Sequence, residues 1–354
     1  MRFLLDDEQR EFARTLDGML TAADTPAVVR AWASGDTTPG RALWARLAET
    51  GVFALAVPEE HDGLGALPVE LAVAFTELGR HAVPGPVVET VAAAVFLERL
   101  GDEAPAAAWL PGIASGKTAA SLCLLSPGSP YSPYSPYALD ADTADAVFVV
   151  DGDTVRLAES TGPLQPSADP ARRLSRPLGG TVLAKGPEVA AAAAHAADAA
   201  ALATAAQALG LGRALLAQTV EYAKQRTQFG VAIGSFQAVK HRLADVLIAL
   251  EFAQPLIHAA ALALAAGDSS SGRQIAAAKV SACEAAYTAA RTALQLHGAL
   301  GYTEELNLSL WIRKARALRY AWGTPAACRA RVLGSESDGR PYEPDRATQK
   351  GADG

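Results

Sequence analysis

Cysteine is scarce: Cys123, Cys283 and Cys328 are the only three in 354 residues. Such spacing excludes a disulfide framework and a CxxC metal site, so all three are expected to be buried and inert. Clustered basic charge is missing too. The 31 Lys and Arg are scattered and the formal net charge is −7, so no stripe suits a phosphate backbone and nucleic acid is not an expected partner. Apolar runs such as 189–194 and 259–266 are alanine-dominated and short, well below the ~20 residues of a membrane span. The start, MRFLLDDEQREF, turns acidic where a secretory leader would be basic and then apolar, which makes the cytoplasm the expected compartment.

What the chain has is alanine, leucine and helical spacing. Half of its residues are apolar, enough to bury roughly three quarters of the unfolded surface in a chain of this length. Phe12, Leu16 and Leu20 recur at helical intervals from Asp6 onward, and helical stretches follow at 41–50 and 69–78. Residues 1–112 are therefore expected to be all-helical, with GVFALAVPEEHDGLG as a link whose Gly63 and Gly65 make turns. From 113 to 186 the runs SLCLL, ADAVFVV, TVRLAES and GGTVLAKG predict a small β unit with a hairpin at Asp151-Gly152-Asp153. Its PGSPYSPYSPY insert predicts a loop, because proline lacks the ladder donor. Residues 187–334 read as a bundle of four helices, to about Arg226, then from Ser235, from Ser270 to His297, and from Glu304. The polar tail 335–354 is expected to be disordered. The fold class is mainly α with a small central β domain.

Three motifs stand in register. RTQFGVAIGSFQ supplies Arg226, Phe229, Gly230, Phe236 and Gln237; QLHGALGYTEE supplies Gln295 and Gly298; GTPAACR supplies Gly323, Thr324 and Arg329. Together they resemble the acyl-CoA dehydrogenase family, and the N-terminal PEEHDGLG is similar to that family's Pro-Glu-Glu loop, with Asp62 in place of a glycine. The resemblance implies an acyl-CoA dehydrogenase-like fold and FAD shared across a subunit interface. It places Arg226 at the pyrophosphate, with Phe229, Gln237, Gln295 and Gly298 along the adenosine half of a flavin held by a neighbour. Bottom-up, an arginine fork pairs well with phosphate oxygens. Thr324 followed by Pro325 reads as an N-cap and first helical residue, compatible with FAD contact.

The resemblance also implies chemistry that this chain is not equipped to perform alone. Family members take an α-proton from an acyl-CoA thioester with a glutamate while a β-hydride passes to flavin. That glutamate usually precedes the Gly-Thr pair, a position held here by Trp322, which has no basic lone pair. The alternative position on the first bundle helix is about Ala200. Asp198 stands about 200° round that helix and is expected to be a solvated or paired acid. No tryptophan lies between Trp109 and Trp311, so the strand motif that holds a chain's own flavin is absent. No catalytic and no metal-binding residue is therefore assigned.

These expectations converge on a non-catalytic subunit that completes the FAD site of a catalytic paralogue in a heterotetramer, acting on a steroid or fatty acyl-CoA and passing electrons to an external acceptor. The alternatives are a homo-oligomeric flavoenzyme with a different base or chemistry, and a scaffold without flavin.

Overall fold

A computed structural model describes residues 4–125 and 136–334, in which a group of helices, a small set of strands and a second group of helices follow one another along the chain. The first is built from α1 (Asp7–Thr21), α2 (Thr25–Ser34), α3 (Thr38–Glu49), α4 (Pro68–Arg80), α5 (Val87–Leu100) and α6 (Glu103–Ala114). A capping box starts α1: the Gln9 backbone N–H donates to Asp6 Oδ1 at 2.8 Å, and the Asp6 N–H donates to Gln9 Oε1 at 3.1 Å. Periodicity locates α1, α3 and α4 but misses α2, α5 and α6. For α5 the reason is burial on nearly all sides, which erases the polar face that a helical pattern needs. The link between α3 and α4 turns at Gly63, where a Cβ would stand 1.9 Å from the Val57 carbonyl oxygen, and at Gly65, whose φ is +87°.

The β unit is a four-stranded sheet of β1 (Ala120–Leu124), β3 (Ala146–Asp151), β4 (Thr154–Leu157) and β8 (Thr181–Lys185). β1 and β3 are parallel, and the remaining pairs are antiparallel. The β3–β4 hairpin turns at Gly152 and Asp153, with Gly152 at φ +58°. Two short ladders complete the unit: β2 (Ala138–Leu139) with β6 (Leu174–Ser175), and β5 (Ser160–Thr161) with β7 (Pro177–Leu178). The proline-rich insert falls mostly on residues 126–135 and the polar tail on 335–354, outside the described residues.

The last unit centres on α7 (Pro187–Gln225), joined by the small hairpin β9 (Thr227–Gln228) and β10 (Val231–Ala232) to α8 (Gln237–Ala265). Then come α9 (Ser271–His297), α10 (Leu308–Leu318) and α11 (Pro325–Leu333). The helix expected from Glu304 is thus two helices, because residues 319–324 break the pattern. Alanine along α7 lets neighbours approach closely, and its contact with α4 is the tightest kind. A Cβ on Gly210 would sit 1.7 Å from the Thr76 carbonyl oxygen, and one on Gly79 would sit 1.9 Å from that of Gln207. Two glycines thus let two backbones touch.

By length and mean hydropathy both α7 and α8 are long and apolar enough to cross a membrane, a test that the buried core helix of a protein also passes. In α7 72% of the apolar window is buried inside the protein, against 39% in α8. The uncovered side of α8 carries Leu247 and a stripe of Ile248, Phe252 and Leu256, all exposed, at helical spacing.

Candidate functional site

α10 ends at Leu318 and α11 begins at Pro325, so residues 319–324 form the connection between them. Thr324 caps α11 as its sequence predicts, accepting the Ala327 N–H at 3.2 Å. Just before it, Trp322 lies at φ +49° and Gly323 at φ +124°. A bulky residue in the left-handed region is strained and persists only where its surroundings over-determine it. Two buried charged residues do so here. From α5, Glu89 accepts the Trp322 indole N–H at 3.1 Å. From α9, Lys279 donates to the carbonyl oxygens of Leu318 at 3.1 Å and Gly323 at 3.3 Å. Glu89 and Lys279 are 4% and 1% exposed.

Neither was singled out from the sequence, although each leaves a signal. Glu89 is the one acid inside the apolar run VVETVAAAVF, and Lys279 sits on the buried stripe of α9 between Ile275 and Cys283. A charge on a core face has to be paired.

The indole of Trp322 is thereby committed: its single donor is spent and its ring is buried. Ala200 is fully buried in α7, its carbonyl accepting the Thr204 hydroxyl at 2.7 Å. Asp198 points to Arg331 in a two-pronged ion pair, with Arg331 Nη2 at 2.9 Å from Oδ2. A Cβ on Gly272 would fall 2.0 Å from Arg331 Nη2, so the glycine makes room for that pair. Neither base position therefore offers a carboxylate, and the nearby acid has a cationic partner.

Behind Glu89 lies a larger buried group. Trp32 Nε1 donates to Asp140 Oδ1 at 2.9 Å, and Asp140 is fully buried at φ +50°. Asp169, Arg172 and Lys314 are also buried, and Lys314 Nζ donates to the carbonyls of Ala82 and Val83. Burial pushes the Asp140 carboxyl up to about 7 and Lys314 down to about 8, and it raises Glu89 against the pull of Arg172 and the Trp322 hydrogen bond.

The residues assigned to cofactor form two groups. Arg226, Phe229 and Gln237 surround the β9–β10 hairpin, all exposed, with Phe229 93% exposed at φ +54° and in edge contact with Phe236. Gln295 and Gly298 end α9, also exposed. Tyr222 on α7 stacks on His297 with ring centroids 3.9 Å apart, tying the two stretches together. Among the described residues Arg226 has no ion-pair partner. Thr324 is apart from them: its neighbour Gly323 is anchored by Lys279, which is 16 residues before Gln295 on α9, or about 24 Å along the helix. The exposed end has features that fit FAD: an unpaired guanidinium, an outward aromatic ring, and open space where a Gly298 Cβ would be. At the Trp322 turn, by contrast, residues 321–323 are buried and Thr324 is half-buried.

A cavity of about 380 Å³ lies on the α7 side, walled by Leu55, Leu67, Leu71, Val95, Ala199 and Leu264. It shares Arg99 and His195 with a neighbouring polar groove.

Residues 6–117 match the acyl-CoA dehydrogenase N-terminal domain, and residues 190–333 match the C-terminal domain. Over 311 residues the chain is 34% identical to acyl-CoA dehydrogenase IpdE2 of Mycobacterium tuberculosis, covering 87% of this chain and 91% of that protein. Its identity to IpdE2 of Mycolicibacterium smegmatis is 31%, covering 90% and 96%. Among solved structures it resembles the Tcur3481-Tcur3483 steroid ACAD G363A variant, with a TM-score of 0.79, 25% identity and coverage of 92% and 96%. The ChsE4-ChsE5 complex from Mycobacterium tuberculosis shares the fold, with a TM-score of 0.80, 23% identity and coverage of 94% and 98%. The chain belongs to the acyl-CoA dehydrogenase family, FAD-dependent oxidoreductases acting on the CH–CH bond of acyl-CoA thioesters.

Proposed function

We propose that this chain is a subunit without a reacting base that completes the FAD site of a catalytic paralogue, in a heteromeric enzyme for α,β-dehydrogenation of an acyl-CoA thioester. The observation that carries this reading is the commitment of Trp322. At the position where the family's glutamate stands, the indole donates its one proton to buried Glu89 and has no lone pair to offer. Losing a general base costs roughly 10² to 10⁴ in rate.

The other end of the unit supports the cofactor half of the proposal. Arg226 would hold the pyrophosphate, while Phe229, Gln237, Gln295 and Gly298 would flank the adenosine of a flavin seated mainly in the neighbour. When bound, the flavin supplies the hydride acceptor. This chain's residues hold and orient it, and the exposed Ile248, Phe252 and Leu256 stripe on the adjoining helix offers apolar area for the neighbour to cover. Thr324, at the other end of α9, would belong to a different site from Arg226. The paired names ChsE4-ChsE5 and Tcur3481-Tcur3483, the latter a steroid ACAD, favour a heterotetramer and a steroid-type acyl group.

Arg226→Ala in the purified complex is the test. Loss of a charge-assisted, two-pronged contact should weaken FAD binding about tenfold to a hundredfold, read by flavin fluorescence titration. Unchanged FAD affinity would remove Arg226 from the interface.

A further inference from the structure

The buried group behind Trp322 is assembled from all three units. The helical unit supplies Trp32 from α2 and Glu89 from α5; the β unit supplies Asp140, Asp169 and Arg172; the last unit supplies Lys314 from α10 and Trp322. Among the described residues, three buried carboxyl groups, Glu89, Asp140 and Asp169, share this interior with two buried cations, Arg172 and Lys314. Among the described residues, two carboxyl oxygens, Asp140 Oδ2 and Asp169 Oδ2, are buried without a hydrogen-bond partner. A bare buried oxygen of that kind is costly when charged and much less so when it carries a proton.

Asp140 is the acid that geometry singles out. It is 0% exposed and held at φ +50°. Its N–H donates to the Arg173 carbonyl at 2.6 Å, and its own carbonyl accepts the N–H groups of Thr143 and Ala144. Among the described residues the Trp32 indole donates to its carboxyl on Oδ1, and Oδ2 has no hydrogen-bond donor. Asp169 accepts the Ala171 N–H at 3.1 Å on its other oxygen, and Glu89 has the Trp322 indole and the charge of Arg172. The charged groups acting on Asp140 from its surroundings are Glu89 from α5, Arg172 and Asp142 within the β unit, and, through its effect on the shared field, Lys314 from α10. Asp142 is itself paired with Arg173 at 2.5 Å.

We propose that this group is a proton-holding joint: Asp140 carries the proton that balances the buried charge, and its release to solvent loosens the seating of the β unit on the two helical units. The carboxyl O–H breaks, the proton goes to water, and the carboxylate is left with one indole donor in a dry site. Opening the joint lets that carboxylate reach water. The raised Asp140 carboxyl and the raised Glu89 act in the same direction, while the lowered Lys314 acts at higher pH.

In the closed form Asp140 titrates near 7, and in an opened form near its ordinary value of 3.8. The opened fraction should therefore grow by up to tenfold per pH unit between those values and level off above them. Hydrogen exchange of the full chain, corrected for the intrinsic pH dependence of exchange, reads this directly in segments 138–142 and 169–175 at pH 5, 6, 7 and 8. Wild type should show the rise and plateau, and Asp140→Asn should be nearly flat. If Asp140→Asn does not fold, Trp32→Phe replaces it: removing the donor that favours the charged carboxyl should move the plateau to higher pH. A flat wild-type profile overturns the proposal, as does an Asp140→Asn or Trp32→Phe profile that keeps the wild-type slope and plateau.

Discussion

Trp322 and Glu89, 233 residues apart in sequence, meet through one hydrogen bond of 3.1 Å inside the protein. That bond links the turn at the family's base position to the first turn of α5 in the N-terminal helical unit. It also explains how a tryptophan is held at φ +49°.

Trp322→Phe keeps the ring but removes the donor, leaving Glu89 buried without it. The expected loss is about 2 kcal/mol of unfolding free energy by urea titration. Trp322→Glu, which restores the family's residue type, should be worse, because it places a second carboxylate beside Glu89. A Trp322→Phe chain as stable as wild type would show that the bond contributes nothing.

The crossing of α4 and α7 is equally specific. Gly210→Ala places a methyl 1.7 Å from the Thr76 carbonyl oxygen, so the helices must separate, at a cost of about 3 kcal/mol. Gly18→Ala is the control, since nothing stands within 4 Å of its Cβ position. The two midpoints in one urea series should differ clearly.

Lys314 sets a pH dependence of known sign. Burial lowers it from 10.5 to about 8, so between those values the unfolded chain binds more protons than the folded one. Stability contributed by this group therefore rises as pH climbs from about 8 toward 10.5 and is flat below 8. The full span amounts to roughly 3 kcal/mol at 1.36 kcal/mol per unit. In Lys314→Met that rise should vanish from urea midpoints measured between pH 7.5 and 10.

Much of the architecture was legible in the residues. Alanine and leucine spacing revealed α7 and α9, β-branched runs revealed β1, β3 and β4, and Thr324-Pro325 marked the start of α11. What stayed hidden shares one cause. The all-round burial of α5 and the pairing of Glu89 with Trp322 both arise from contacts between distant segments, which local periodicity does not encode. Site residues on the surface, such as Arg226 and Phe229, were visible only through motif resemblance, and their exposure adds what sequence lacked: an uncommitted guanidinium and ring facing outward. Asp198 shows the reverse case, an acid near a base position whose two oxygens are taken by Arg331.

If, as proposed, this chain lends its exposed end to a neighbour's flavin and has no working site of its own, both flavin and activity must depend on the partner. The direct measurement is FAD content and acyl-CoA dehydrogenase activity of the chain purified alone and after co-production with a full-length paralogue, each with native mass. The lone chain should be colourless and inactive, and the complex yellow and active with one FAD per pair of unlike chains. A yellow, active homo-oligomer of the lone chain would contradict it.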